Sequence, residues 1–433
     1  MSSRPNALGP IAVLGLMVLL LALLGGAVAW LSPVVAPRAT SVRSTADLPP
    51  AVAPAFDPVP IGKALEGHPW IPHLAVADLD RDGRPDLLAC DAQFDAVEWL
   101  RRNDDGTFTE TTLARGIKAP VHASVCDYDG DGDPDILVAS MGEIFPNNDK
   151  IGSVVVLVND GTNHFTARFV REHIARVTDV RGADVDGDGD IDLIVGQFGY
   201  VQGGIMLLRN RGDQTYADEQ LLDLSGTIHT PVADFDGDGR PDVAALVSQE
   251  WEEVHLFDND AGNLRDRTVW GSVNEDYGSS GLEVADLDRD GDMDLLYTNG
   301  DAFDYSRPGP RPWHGVQWLE NKRGNFIFHR LGDQPGAYSP IAVDIDNDHD
   351  LDLVATCGFG DWTDPATPSL VVWINDGAQH FTPVVLAHAP THLITVVAAD
   401  FDGDGRVDLA TGTMYAYPPW DQPSRITLWR QRP

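Results

Sequence analysis

Four aspartates fall within nine residues in DFDGDGRPD, Asp234 to Asp242, with glycine at the sixth place and an apolar run directly after. Carboxylates at places one, three, five and nine, joined by the backbone carbonyl of place seven, can fold around one hard cation, and the glycine permits a sharp turn at positive φ. The pattern occurs seven times. In chain order, the expected ligand positions are Asp78, Asp80, Asp82, Arg84 and Asp86; Asp127, Asp129, Asp131, Asp133 and Asp135; Asp184, Asp186, Asp188, Asp190 and Asp192; and Asp234, Asp236, Asp238, Arg240 and Asp242. They continue with Asp286, Asp288, Asp290, Asp292 and Asp294; Asp344, Asp346, Asp348, Asp350 and Asp352; and Asp400, Asp402, Asp404, Arg406 and Asp408. At place seven only the main-chain oxygen is counted, so arginine serves there as well as aspartate. An all-oxygen, carboxylate-rich donor set suits calcium better than softer metals, which predicts up to seven calcium ions. An EF-hand would need glutamate at place twelve, where these loops carry Ala89, Val138, Val195, Ala245, Tyr297, Ala355 and Thr411. A dockerin-like arrangement fails because a strand-like run, not a helix, follows each loop.

The elements that position these loops repeat with them. First aspartates are spaced 49, 57, 50, 52, 58 and 56 residues apart, the range of a propeller blade. A short apolar run such as HLAVA (His73 to Ala77) precedes each loop and another such as LLAC (Leu87 to Cys90) follows it. A third run, such as VVVLV (Val154 to Val158), ends in an Asn/Asp/Gly turn and leads to a fourth, such as HFTARFV (His164 to Val170). Such turns supply the positive φ of tight hairpins, and runs of this length and composition read as strands. Seven repeats of four antiparallel strands predict an all-β, seven-bladed β-propeller. The last repeat stops one strand short, and Phe56 to Ile61 has the fourth-strand pattern of Phe381 to Leu386. It is expected to complete the last blade and leave no open edge at the closure.

Seven in-phase copies of the type VADLDRDGRPDLLA, each followed by a segment like WLRRNDDGTFTE, resemble the FG-GAP and VCBS repeats of integrin α-type propellers and their bacterial relatives, over roughly residues 56 to 433. The FG and GAP dipeptides are not reproduced beyond the partial echo at Gly196 to Gly199, and no NxS/T sequon occurs, so the bacterial form is the nearer likeness. The resemblance implies calcium in the aspartate loops. His349 replaces the glycine of the sixth loop, which is expected to distort or weaken that site.

Calcium in these loops is expected to organise the turn between the first two strands of a blade, which moves ligand binding elsewhere. Acidic loops and three-to-four turns belong on one rim; two-to-three loops and interblade connections belong on the other. That second rim carries Phe145, Phe198, Tyr200, Phe303, Tyr305, Trp313, Phe359, Trp362, Tyr415, Tyr417 and Trp420. Such aromatics suit sugar stacking or a protein interface, or they cap the blades and fill the gaps between them. Five residues before each first aspartate stand His73, His122, Asp179, His229, Gly281, Ser339 and Thr395, with Arg181 and Glu283 two places further on. Alternation points them toward the channel, where they either meet water or bind a metal or an anion. Arg211-Gly212-Asp213 occupies a three-to-four turn and reads as a chance tripeptide; GxSxG, HExxH, P-loop and GxGxxG motifs are absent.

The remaining limits come from composition and from the N-terminus. A net charge of −37, from 67 acids and 30 bases, excludes nucleic acid as a partner. Cys90, Cys126 and Cys357 make no disulfide framework and read as small core residues. After a short segment at 1–9, residues 10–31 are expected to form an apolar transmembrane signal anchor, favoured by length, or a long signal peptide cut near Ala27-Val28-Ala29. Residues 32–55 are a Pro/Ala-rich linker and 56–433 the propeller. The sequence therefore predicts a membrane-anchored, extracytoplasmic calcium-binding propeller that binds a protein or glycan. The alternatives are secretion after signal cleavage, and a polysaccharide lyase or hydrolase working on the rim opposite the calcium loops.

Overall fold

The computed structural model describes residues 53–303, 305 and 308–433, and every regular element among them is a β-strand. Seven antiparallel sheets follow one another in chain order, each ordered from its first strand to its last. Blade one is His73–Ala77, Asp86–Asp91, Ala96–Arg102 and Phe108–Arg115, and blade two is Pro120–Cys126, Asp135–Ser140, Gly152–Asn159 and Phe165–Ile174. Blades three, five and six repeat this plan. In blade four the first strand is split into Thr227–His229 and Val232–Ala233 by Pro231, which has no N–H for the ladder. First strands neighbour one another around the ring, and those of blades seven and one meet.

Burial explains the layering. Second strands such as Asp86–Asp91 are buried at every residue because both faces lie against neighbouring blades, whereas outer strands such as Phe108–Arg115 alternate toward solvent. The core is therefore distributed between blades. One cluster joins Leu88, Cys90, Val97 and Trp99 of blade one to Ile136, Val138, Val155 and Leu157 of blade two, and six more join the other neighbouring pairs. Cys90 and Cys357 are buried, Cys126 is half-buried, and all three are free thiols.

Phe56–Ile61 pairs antiparallel with Ile426–Gln431, from Phe56 opposite Gln431 to Ile61 opposite Ile426, and so completes blade seven. An ion cluster, buried except for Lys63, reinforces this closure. Arg425 of blade seven lies 3.1 Å from Asp91 and 2.7 Å from Glu110 of blade one, and Lys63, just after the clasp strand, lies 2.9 Å from Glu98.

One part of the expected fold class is corrected. The architecture was expected to be a propeller preceded by an apolar helix, but no helix occurs among the described residues, and none there is long and apolar enough to cross a membrane. The segment 10–31, on which that helix was placed, lies outside the described residues.

Candidate functional site

The acidic loops are eight residues long in every blade and share one hydrogen-bond scheme. The carboxylate at place one accepts the N–H of place six, as from Gly83 to Asp78 at 2.8 Å and Gly239 to Asp234 at 2.7 Å. The carboxylate at place five accepts the N–H of place seven, as from Arg240 to Asp238 at 2.9 Å. Place six has positive φ throughout, and His349 adopts it at +76°, so the sixth loop keeps the turn at the cost of a side chain in the left-handed region. Place four is left-handed too, with Gly130, Gly187, Gly237 and Gly403 in four loops and Arg81, Arg289 and Asn347 in the others. Two of those residues tie loops together: Arg81 reaches Asp133 at 2.8 Å and the Gly132 carbonyl, and Arg289 donates to the His349 carbonyl.

The loop carboxylates gather three at a time, with ligand oxygens of Asp78, Asp80 and Asp86, or of Asp234, Asp236 and Asp242, within 4.8 Å of one another. Asp286 Oδ1, Asp344 Oδ1, Asp350 Oδ1 and Asp402 Oδ1 are buried without any hydrogen-bond partner. A buried carboxylate oxygen in that state is costly, and a hard cation is the group that would satisfy several at once. Burial, then the charge of Asp348, pushes the Asp350 carboxyl up to about 6.

The ninth aspartate has a second task that spacing did not reveal. Its side chain is essentially inaccessible in all seven blades. One oxygen accepts the N–H at the end of the third strand, as from Asn159 to Asp135 at 2.7 Å and Asn321 to Asp294 at 2.7 Å. The other accepts the N–H of place two, as from Tyr128 at 2.9 Å and Leu287 at 2.9 Å. Burial pushes Asp294 and Asp352 up to about 7 and Asp86, Asp192 and Asp408 to about 6, against the opposing pull of those amides. In blades two to six the asparagine that opens the three-to-four turn extends the link. Asn321 Nδ2 donates to Met293 at 2.9 Å and to Phe235 of the preceding blade at 2.7 Å. Read from sequence, these asparagines are only turn formers.

The channel residues also come together. His73, His122, Arg181, His229, Gly281, Glu283, Ser339 and Thr395 line one central cavity of about 590 Å³, with Asp179 buried behind its wall. Four of them bridge blades by accepting the N–H that follows the equivalent position in the next blade. His73 Nδ1 accepts from Ala123 at 3.3 Å, Asp179 from Thr230 at 2.7 Å, Ser339 from Val396 at 3.2 Å and Thr395 from Leu74 at 3.2 Å. Much of this ring is thus a belt of interblade staples. Burial holds His73 and His122 well below the ordinary imidazole range and lowers His229.

On the opposite rim the aromatics divide. Phe145, Phe303 and Tyr417 pack with centroids 5.4 to 6.4 Å apart, Trp70 meets Phe145 at 5.8 Å, and Phe359 meets Phe303 at 6.2 Å. These rings cap the channel end over a smaller apolar cavity of about 160 Å³. Phe359 and Tyr415 are buried, and Phe198, Tyr305, Trp313 and Trp362 are half-buried. Tyr200 and Trp420 are exposed, Trp420 stacking on His68 at 4.0 Å.

Residues 78–138, 127–195, 184–245 and 234–297 match the FG-GAP-like repeat, and residues 394–425 match the FG-GAP repeat, together more than half of the chain. The chain belongs to the FG-GAP repeat family. Each FG-GAP match in the first half runs from one acidic loop through the next, so the repeat unit is the loop with the strands it joins. The sixth loop, with His349, lies outside all five. No curated protein matches the chain. Among solved structures, the crystal structures of BBS1N in complex with ARL6DN, one soaked with lead and one with mercury, share the fold. Each superposes with a TM-score of 0.51 at 11% identity over 88% of this chain, covering 97% and 98% of theirs. At that identity the likeness is one of fold.

Sequence reading missed part of the FG-GAP propeller's exposed apolar surface. Phe94, Val201, Trp251 and Val273 are exposed in two-to-three or interblade loops, the same rim as Tyr200 and Trp420. They lacked the run of neighbouring aromatics that drew attention to the other loops. Arg211-Gly212-Asp213 sits in a three-to-four turn on the acidic rim, away from this surface.

Proposed function

We propose that this FG-GAP propeller is a calcium-stabilised, extracytoplasmic binding module that takes a protein or glycan ligand on the rim opposite its acidic loops. The observation that carries the calcium reading is the set of buried, partnerless carboxylate oxygens in loops five, six and seven. Weak, extracellular-type calcium sites are filled only where free calcium is plentiful, which fits export, and the uncharged run Ile11 to Leu31 fits passage through or attachment to a membrane. The ligand-binding reading rests on the exposed Tyr200, Trp251 and Trp420, which share the irregular rim while the acidic rim is committed to scaffolding.

A glycan array and a panel of purified surface proteins, probed with the full chain in calcium, test this directly. A specific ligand lost on Trp251→Ala or Trp420→Ala is the expected result. Binding unaffected by both, yet abolished by substitutions on the acidic rim that leave the fold intact, would place the ligand on the wrong side.

A further inference from the structure

We infer that the pocket between the clasp segment and blade one receives a single uncharged sugar ring of a glycan, held by Phe94, Arg115 and Glu66 over a floor of buried ions. This rests on the reading that the rim opposite the acidic loops binds ligand, and it chooses glycan over protein. The pocket encloses about 200 Å³, below the roughly 300–1,000 Å³ of sites for drug-sized ligands, so it admits one ring. Its floor is fixed. Asp91, Glu98 and Arg425 line it and are buried; Arg425 lies 3.1 Å from Asp91, and Lys63 lies 2.9 Å from Glu98. Thr112 Oγ1 donates to Glu98 at 3.1 Å and accepts from Lys63 at 3.1 Å and from Arg115 at 3.1 Å. Direct contacts thus join Arg115 to the floor, yet this exposed residue forms no ion pair among the described residues.

The walls select the ligand. Phe94 is 44% exposed in the two-to-three loop, and the Asp91 carboxylate accepts its N–H at 3.1 Å, which anchors the loop at the pocket. An exposed ring beside polar groups matches a sugar ring, whose C–H face is apolar and whose edge carries hydroxyls. A guanidinium has five N–H donors, so Arg115 keeps donors for hydroxyl oxygens, and the exposed Glu66 offers acceptors to hydroxyl protons. Charge disfavours an acidic sugar. Lys63, Arg115 and Arg425 on the lining are matched by Glu66, Asp91 and Glu98, and Glu110, 2.7 Å from Arg425, adds a further acid. His68, between the lining residues Glu66 and Pro69, stacks on the exposed Trp420 at 4.0 Å, which sets a second aromatic beside this segment for a longer glycan.

The test is saturation-transfer NMR of the full chain in calcium with the methyl glycosides of glucose, galactose, mannose and N-acetylglucosamine, and with glucuronic acid. At least one neutral glycoside is expected to bind, with affinity lowered about tenfold in Phe94→Ala and in Arg115→Ala. Both side chains belong to exposed residues, so both variants should fold. Phe169→Ala, which removes an equally exposed ring from the outer strand of blade two, should leave binding unchanged. No neutral glycoside bound, binding as tight in either pocket variant as in the parent, or tighter binding of glucuronic acid would overturn the assignment. A ligand lost on Trp251→Ala, with no sugar bound by this pocket, would overturn the pocket alone and leave the rim reading standing.

Discussion

On the acidic rim every strand-one-to-two loop has eight residues, and every ninth aspartate accepts two backbone amides; on the opposite rim the two-to-three loops run from four residues, 92–95, to fifteen, 300–314. The same seven blades thus carry two kinds of chain. Where a hydrogen-bond scheme must be met seven times the sequence repeats, because any departure leaves a buried amide or carboxylate without a partner. Where loops meet solvent or a ligand nothing forces repetition, and each blade differs. Repetition in this protein therefore marks scaffold, and irregularity marks the surface free to specialise.

That contrast can be broken most forcefully at Asp294. Replacing it with alanine strips the acceptor from Leu287 N and Asn321 N, so Asp294→Ala should destabilise the fold by about 3–5 kcal/mol in urea denaturation. A smaller effect is expected from Glu252, a buried acid on the irregular rim that accepts the N–H groups of Gly278 and Ser279 and the Ser279 hydroxyl. Burial pushes its carboxyl up to about 7 from an ordinary 4.5, so the folded state holds the proton longer than the unfolded chain. Its contribution is complete below pH 4.5 and is lost as pH rises through about 7, a few kcal/mol in all. Stability measured across that window should fall less steeply in Glu252→Gln than in the parent.

His349→Gly sharpens the comparison from the other side. Relieving a non-glycine residue at φ +76° should stabilise the sixth loop by about 1 kcal/mol, read as a small rise in melting temperature. Smallest of all, Trp251→Ala and Trp420→Ala should shift stability by no more than about 0.5 kcal/mol while removing ligand binding.

The scaffold was legible because its physics is local and repeated. Alternation, turn residues and the aspartate spacing are enough for seven blades, and the Phe56–Ile61 clasp follows from the strand missing at the other end. The ninth aspartate was legible as an acid but not as a staple, since its third-strand partners are amides 16 to 27 residues away, from Arg102 for Asp86 to Asn321 for Asp294. The left-handed place four was hidden where arginine or asparagine fills it. The aromatic rim misled in part, because composition cannot distinguish Phe303, packed against Phe145 and Tyr417, from Trp420, which stands in solvent. In the channel, alternation pointed the polar residues inward but could not show that they bridge one blade to the next.

The central claim is that the acidic rim is a set of calcium-filled turns that hold the blades. Its most direct measurement is calorimetric melting of the full chain in calcium and in excess EDTA, with bound calcium counted before the scan. Several ions per chain, up to seven, and a melting temperature lowered by about 5 °C or more on chelation are the predicted results. An unchanged melting temperature in EDTA would contradict the account.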